Sequence, residues 1–207
     1  MIVESKEFST NAGPPEIIFT DESGPLDLRA IYGRSAPLQV DLGCGDGSFL
    51  VAAAVANPDR DFLGIERLLG RVRNASRKIE LSKLLNARVW RGAISDAVRL
   101  LPPNSVEVFY LMFPDPWPKR RHFRRRLVTE KFLFSIHQAL VSQGLLRIAT
   151  DQIDYFRKIE LLAAHSPGFI TASDEQIQPA PSTFEKRFSR AGAEIYRLVL
   201  RKISPVT

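Results

Sequence analysis

The sequence has a single cysteine, Cys44, and only three histidines among 207 residues. One cysteine excludes an internal disulfide, which is typical of proteins from a reducing cytosol, so we expect a cytoplasmic location. The scattered histidines and cysteine show no metal-ligand spacing, so we expect no metal. No apolar run approaches the roughly 20 residues of a membrane span. The first ten residues, MIVESKEFST, lack the apolar core of a secretory signal, so we expect no membrane association.

Positive charge exceeds negative charge by six, and one segment accounts for the whole excess. Residues 113–126 read FPDPWPKRRHFRRR, and the last eight hold six of the 29 lysines and arginines. Without those six, 23 basic residues balance 23 acidic ones. The three prolines fix backbone φ and remove N–H donors, which predicts a stiff loop. A carboxylate, Asp115, and a ring, Trp117, beside such concentrated charge indicate chemistry on a polyanion, with nucleic acid as the first candidate.

Strand and helix signals alternate along the chain. Apolar runs rich in β formers predict seven strands, at 38–42, 61–66, 87–90, 106–113, 145–149, 169–172 and 195–201. Helices are predicted at 48–56, 68–85, 94–101, 127–140 and 151–164. This alternation predicts an α/β protein with a Rossmann-like, doubly wound, mostly parallel sheet, helices on both faces and an antiparallel hairpin at one edge. We interpret residues 1–35 as an N-terminal arm and 36–207 as one domain.

A glycine-rich turn follows the first predicted strand. Residues 41–47 read DLGCGDG, and Ser48 stands where a dinucleotide fingerprint has its last glycine, which disfavours a dinucleotide oxidoreductase. Glycines let a ligand approach the backbone closely. Asp41 and Glu66 stand at the ends of the first two strands, and a carboxylate there accepts both hydroxyl protons of a ribose. Two acids suit a nucleoside that carries positive charge, such as S-adenosylmethionine. The alternative for Glu66 is a solvated acid at a strand end.

These residues resemble two known motifs. DLGCGDGSFL resembles the first motif of class I methyltransferases, and FPDPWPKRRHFRRR resembles the signature of the bacterial tRNA (guanine-N7)-methyltransferases of the TrmB type. The likeness continues through ATD at 149–151, STFEKRF at 182–188 and IYRL at 195–198. It implies a class I methyltransferase fold. It also implies transfer of a methyl group from S-adenosylmethionine to N7 of guanosine 46 in the tRNA variable loop, leaving S-adenosylhomocysteine.

The resemblance also implies roles for individual residues. Asp115 takes the catalytic position and contacts the cofactor together with Asp41, Gly43, Gly45 and Glu66. The implied tRNA-binding residues are Lys119, Arg121, His122, Arg124, Arg125, Arg126, Asp151, Ser182 and Glu185. The family has Thr-x-x-Glu where this chain has Ser182-x-x-Glu185, which keeps the hydroxyl and loses a methyl group.

The chemistry of guanine N7 makes placement the main task of such an enzyme. The N7 lone pair is free even in a duplex, so no deprotonation precedes attack on a methyl carbon. Asp115 could stabilise the positive charge that grows on the base. For Trp117, packing of the loop is favoured over stacking on a base. The alternative role of Asp151 is to cap a helix, and that of Glu185 is a surface ion pair.

One departure from the family pattern concerns the end of the third strand. Relatives usually carry an acid or amide there that contacts the adenine side of the cofactor, whereas this chain reads RGAI at 91–94. Either a backbone amide takes over that contact, or Asp96 reaches in.

Two other functions stay open at this stage. An amino-methyltransferase has an Asp/Asn-Pro-Pro-aromatic loop, of which Asp115-Pro116-Trp117 matches only part. A non-catalytic RNA-binding protein could also keep this fold. The expected partner is tRNA; no obligatory protein partner is implied, and both a monomer and a homodimer fit.

Overall fold

The computed structural model describes residues 15–17, 25–173 and 194–204. The predicted tRNA-binding residues Ser182 and Glu185 lie outside these described residues. The strands are β1 (Glu16–Ile17), β2 (Leu38–Leu42), β3 (Asp61–Glu66), β4 (Ala87–Arg91), β5 (Val106–Met112), β6 (Leu140–Thr150), β7 (Phe169–Thr171) and β8 (Tyr196–Lys202). The α-helices are α1 (Leu28–Tyr32), α2 (Ser48–Ala56), α3 (Leu69–Leu81), α4 (Ile94–Leu100), α5 (Glu130–Ala139) and α6 (Ile153–Ala164), and a 3-10 helix covers Arg120–Arg125.

The described strands form one sheet in the order β1-β4-β3-β2-β5-β6-β8-β7. Every neighbouring pair is parallel except those of β8, which runs antiparallel to both β6 and β7. The predicted doubly wound α/β sheet with an antiparallel edge is therefore confirmed. The strand beyond the predicted seven is β1, which pairs with Val89 and Trp90 of β4. Two residues are too few to carry a recognisable periodic pattern.

Helices cover both faces of the sheet, as the alternation of elements predicted. On one face, α2 and α3 bury a core that includes Leu50, Val72 and Ile79. The larger core on the other face takes Ile136 from α5 and Tyr155 from α6. Each helix contributes residues at helical spacing, so the apolar side that the sequence encodes is the side that meets the sheet.

The region around α5 differs in detail from the sequence prediction. The helix begins at Glu130 and not at 127, because the side chain of Thr129 caps it by accepting from the N–H of Phe132 at 3.2 Å. Strand β6 begins at Leu140, directly after the helix, and not at 145. The residues between the proline loop and Thr129 are therefore not part of α5, and Arg120–Arg125 form the separate 3-10 helix.

Described parts of the predicted arm pack against the sheet. Strand β1 lies on the edge of β4, and Leu26 and Tyr32 are buried in the core. The Tyr32 hydroxyl donates to the carbonyl of Phe62 at 2.9 Å. The division into an arm of residues 1–35 and a domain of 36–207 stays a prediction. Over the described ranges, no helix is both long and apolar enough to cross a membrane.

Gly47 provides a test of how tightly α2 and α3 pack. Its φ is 76°, and an added Cβ would lie 2.6 Å from the Cβ of Ala75 on α3. We expect Gly47→Ala to lower the free energy of unfolding by about 2 kcal/mol, from backbone strain and overpacking together. Gly70→Ala is the matched control, because a Cβ there would meet nothing within 4 Å. It should leave stability unchanged or raise it slightly. Urea denaturation compares the two, and equal stabilities would contradict this account of the packing.

Candidate active site

A cleft of about 670 Å³ opens at the carboxyl ends of the central strands. Its walls are the residues that follow β2, β3, β4 and β5, the position at which parallel α/β sheets hold ligands. Among the predicted cofactor residues, Gly43, Glu66 and Asp115 line this cleft. Asp41 and Gly45 are buried immediately beside it, in β2 and in the turn that follows. The fold therefore gathers all five predicted residues at one place.

The glycine turn after β2 depends on left-handed backbone conformations. The φ angles are 87° at Gly43, 57° at Gly45 and 76° at Gly47, a region that glycine adopts without steric cost. The N–H groups of Gly43 and Cys44 both donate to the carbonyl of Ile65, at 2.8 and 3.0 Å. These two bonds fix the turn to the end of β3 through backbone groups.

An ion pair that the sequence analysis missed holds the same turn against α3. Lys78 Nζ lies 2.6 Å from a carboxylate oxygen of Asp46 and donates to the Ser48 hydroxyl, also at 2.6 Å. Ser48 in turn donates to Asp46 at 3.0 Å. Partial burial opposes ionisation, but the bonds from Lys78 and Ser48 prevail and lower the pKa of Asp46. No local sequence pattern predicts this contact, because Lys78 lies on α3 and Asp46 lies in the turn after β2.

Glu66 ends β3 as a buried carboxylate on the wall of the cleft. Its Oε1 accepts from the N–H groups of Arg67 and Leu68, at 2.8 and 2.9 Å. Its Oε2 lies 3.7 Å from the guanidinium of Arg71, which also lines the cleft. One oxygen is thus committed to the turn before α3, and the other is the one available to a ligand hydroxyl. Glu66 is therefore more than the solvated strand-end acid that the sequence left open.

Asp41 is buried next to Glu66 and carries a perturbed acidity. Burial, and secondly the charge of Glu66, raise the pKa of Asp41 to about 7. The fold therefore favours the protonated carboxyl. The contribution of this group to stability is largest at acidic pH and is lost as the pH rises from the ordinary value of 3.8 through about 7. A positive charge bound beside Asp41 and Glu66 would offset the repulsion between the two carboxylates and favour the ionised form of Asp41.

Cys44 lies in the glycine turn as a buried, packed side chain. Its side chain is buried, and a Cβ added to Gly64 would lie 2.7 Å from its sulfur. Burial, followed by the charges of Asp41 and Glu66, raises the pKa of the thiol well above its usual value, so the group is an inert thiol. In the part of the chain that the structure describes, no three His, Cys, Asp or Glu side chains are grouped so as to hold a metal ion.

Residues 113–119 form neither helix nor strand, as the three prolines predicted for this loop, and the strand predicted at 106–113 ends one residue earlier, at Met112. Asp115 is exposed on this loop and lines the cleft. Trp117 is half-buried, and its ring meets the His122 ring edge-on at 5.6 Å and the Arg125 guanidinium at 5.0 Å. These contacts favour loop packing as the role of Trp117. The backbone is strained at two positions of the loop, with φ of 55° at Phe113 and 42° at Trp117.

The side chains of the basic run differ in their exposure. Lys119, Arg121, Arg124 and Arg125 are exposed, whereas His122 and Arg126 are partly buried. Arg125 also lines the cleft. From Arg120 to Arg125 the run forms a 3-10 helix. Through Arg125, the exposed part of the run therefore reaches the same cleft as Asp115.

Asp151 follows β6, the strand that neighbours β5. The two strands end together, because the N–H of Phe113 donates to the carbonyl of Ala149 at 2.7 Å. The carboxylate of Asp151 accepts from the side-chain amide of Gln152 at 2.9 Å. Gln152, and not Asp151, occupies the N-cap position of α6, so the alternative helix-capping role of Asp151 is wrong. The parallel pairing thus brings Asp151 to the same edge of the sheet as Asp115.

The end of β4 supplies backbone and no acid to the cleft. Residues 92–95 line it. Asp96 is exposed and is bonded to its neighbours, with its Oδ1 3.5 Å from Arg99 and 3.4 Å from the Ser95 hydroxyl. Of the two alternatives for the missing acid, this arrangement favours a backbone amide over Asp96.

The fold is similar to that of solved methyltransferases. The 16S rRNA methyltransferase KamB aligns with a TM-score of 0.64 over 91% of this chain and 96% of its own, at 17% identity. The aminoglycoside resistance methyltransferase NpmB1 aligns with a TM-score of 0.61 over 83% of this chain and 90% of its own, at 20% identity. At such identities the likeness establishes the class I methyltransferase fold alone.

Sequence similarity extends over most of the chain. The family described as "Putative methyltransferase" matches residues 35–198. The tRNA (guanine-N(7)-)-methyltransferase of Halorhodospira halophila is 38% identical over 190 residues, which cover 87% of this chain and 81% of that protein. The protein of the same name from Leifsonia xyli subsp. xyli is 39% identical over 193 residues, which cover 87% and 82%. As its motifs predicted, the chain belongs to the tRNA (guanine-N7)-methyltransferase family.

Proposed function

We propose that this protein transfers a methyl group from S-adenosylmethionine to N7 of a guanosine in the variable loop of tRNA, at position 46. The observation that carries the proposal is the junction of two surfaces at Asp115. On one side lies the cleft lined by Gly43 and Glu66, and on the other lies the exposed basic run. The names of the relatives support the same reaction and substrate. A cytoplasmic location belongs to this proposal, because tRNA is found there.

The residues of the cleft fit S-adenosylmethionine. Glu66 has an oxygen free of the backbone to accept from a ribose hydroxyl. Ile94 and Leu111 give the wall an apolar part suited to a base. Asp41, paired with Glu66 and short of positive charge, favours a cationic ligand. When bound, this cofactor supplies a methyl group activated by a sulfonium.

Asp115 is the proposed catalytic residue. Guanine N7 needs no base, so the enzyme must hold the nitrogen in line with the methyl carbon. The carboxylate of Asp115, at the mouth of the cleft, is placed to stabilise the positive charge that develops on the guanine ring. A rigid loop holds the carboxylate already oriented toward the base. It therefore needs no reorganisation when positive charge develops on the guanine, whereas water molecules would have to reorient.

Other residues hold the substrate in this proposal. Guanine N1 and N2 carry hydrogen-bond donors, which suit the carboxylate of Asp151. Ser182, Glu185 and Lys119 complete the base-binding group by family resemblance. The exposed residues Arg121, Arg124 and Arg125, with His122 beside them, would contact tRNA phosphates. No obligatory protein partner is required, and the enzyme would act as a monomer or a homodimer.

Methyl transfer to two matched tRNA transcripts tests the proposed reaction. One transcript is unmodified, and the other has 7-deazaguanosine in place of the variable-loop guanosine, which removes the accepting nitrogen and little else. We expect label from S-adenosylmethionine on the first transcript and none on the second. Label on both would identify another acceptor atom. Label on neither, with cofactor binding retained, would favour a non-catalytic RNA-binding protein.

Replacement of Asp115 tests the catalytic assignment. We expect Asp115→Ala to lower kcat by about 10²–10³, the usual cost of losing a charge-stabilising group, while cofactor binding is weakened but persists. Single-turnover rates and calorimetric titration with S-adenosylmethionine separate the two effects. Asp59→Ala is the control, because Asp59 is an exposed acid at the opposite edge of the sheet. Full turnover by Asp115→Ala would remove the residue from the catalytic role.

The acidity of Asp41 predicts a pH dependence of cofactor binding. Since the pKa of Asp41 is about 7, the carboxyl is protonated at lower pH and cannot balance a cationic ligand. We expect the affinity for S-adenosylmethionine to rise from about pH 6 to about pH 7.5, with proton release on binding. Calorimetry in buffers of different ionisation enthalpy counts those protons. In Asp41→Asn the affinity should be lower and nearly independent of pH; an unchanged pH profile would exclude Asp41 as its source.

A further inference from the structure

Arg126, unlike Arg125 with its ring contact to Trp117, has a side chain that hydrogen-bonds to the backbone of the proline loop. Its side chain is partly buried, and Nε donates to the carbonyl of Pro116 at 2.8 Å. Its backbone N–H donates to the carbonyl of Phe123 at 3.0 Å, closing the last turn of the 3-10 helix. Pro116, whose carbonyl accepts from the Arg126 side chain, immediately follows Asp115 in the sequence. Arg126 therefore bonds to the loop that carries the proposed catalytic group.

Two aromatic rings fix the orientation of the Arg126 guanidinium. Its central carbon lies 4.0 Å from the centre of the Phe123 ring and 4.7 Å from that of the Tyr155 ring. Both distances are within the range of cation–π contacts. Tyr155 is fully buried in α6, and its hydroxyl accepts from the N–H of Val128 at 3.2 Å. A rigid helix thus supports the guanidinium through a ring that is itself held in place.

The proline loop has a physical need for such support. Pro114, Pro116 and Pro118 have no N–H to donate, so bonds to the loop carbonyls must come from donors elsewhere. The positive φ angles at Phe113 and Trp117 persist only where surrounding contacts hold them. Burial is the main reason that the pKa of Tyr155 is raised, but Asp115 is close enough to add to the effect and Arg126 to oppose it. All three groups therefore share one local electrostatic environment.

We propose that Arg126 is a positioning residue and not a phosphate contact. Its guanidinium, held against the Tyr155 ring, acts as a clamp: it bonds to the carbonyl of Pro116 and so fixes the position of Asp115. This gives Arg126 a different task from Arg121 and Arg124, with which family resemblance groups it. The proposal rests on the proposed function only for its kinetic part. The clamp itself concerns the free protein and is measurable without tRNA.

The kinetic test compares Arg126→Ala and Arg126→Lys with Arg124→Ala, an exposed member of the same run. We expect both Arg126 variants to lower kcat by about 10- to 100-fold, because a misplaced catalytic group costs that much. Their KM for tRNA and their salt dependence should stay close to wild type. Arg124→Ala should instead raise KM and reduce the slope of log affinity against log salt by about 0.7 to 0.9.

Arg126→Lys is the decisive variant. Lysine keeps the charge and would preserve a phosphate contact, but it has neither a planar group to stack between two rings nor an Nε donor at that position. Recovery of wild-type kcat by Arg126→Lys would overturn the clamp. A rise in KM and a loss of salt slope equal to those of Arg124→Ala would also overturn it. If Arg126→Ala fails to fold, as its melting curve would reveal, the lysine variant still distinguishes the two roles.

Fluorescence of Trp117 tests the clamp independently of activity. The chain has two tryptophans, so a Trp90→Phe background leaves Trp117 as the only emitter. We expect acrylamide to quench Trp117 more strongly in Arg126→Ala and Arg126→Lys than in Arg124→Ala, which should match the background protein. Equal quenching in all variants would overturn the clamp. If the wild-type protein methylates no tRNA, the proposed function fails, whereas the quenching result still decides the role of Arg126.

Discussion

Parallel pairing of β2 with β3 and β5 is the constraint on which the site depends. Asp41 of β2 stands opposite Gly64 of β3 and Tyr110 of β5, so the three strands reach the same edge of the sheet in step. Glu66 ends β3 and Asp115 follows β5, so both lie at one cleft, although 49 positions separate them in the sequence. The glycine turn can close over this edge because Gly64 offers no side chain to obstruct it. The position of each functional group is thus a consequence of strand register more than of local sequence.

Two neighbouring buried acids, Asp41 and Glu66, give this part of the cleft an excess of negative charge. Asp41 is buried beside Glu66, whose salt bridge with Arg71 is long, at 3.7 Å, so neither carboxylate has a close cationic partner among the described residues. Removing two like charges from water without such a partner costs stability in the free protein. Stability is regained when a ligand brings positive charge to the pair. Arg67, Arg71 and Arg125 also line the cleft, and of these Arg71 comes within 3.7 Å of Glu66.

The sequence predicted elements whose pattern is local and missed those that depend on distant partners. Strands β2 and β3 and helix α2 were predicted to the residue, because apolar runs bounded by glycine, asparagine and proline mark their ends. The glycine turn and the strand-end acids predicted cofactor residues, of which Gly43 and Glu66 line the cleft; their role stays a prediction. The start of α5 at Glu130 was missed because a threonine cap is a weak signal beside a long basic run. The pair of Lys78 with Asp46 was missed because it joins two elements that are 32 residues apart.

The basic run shows the limit of reading function from charge. Six cations in eight residues predict a phosphate-binding surface. A prediction from the number of charges alone assigns the same role to each of the six side chains. What separates Arg126 from Arg124 is a ring supplied by Tyr155, 29 residues further along the chain, and a proline carbonyl ten residues earlier. A guanidinium suits both tasks, because its flat face stacks on rings while its edge donates hydrogen bonds. One run can therefore present its exposed members to a polyanion while the partly buried Arg126 bonds to the loop that carries Asp115, so this loop is anchored beside the surface that the substrate would contact.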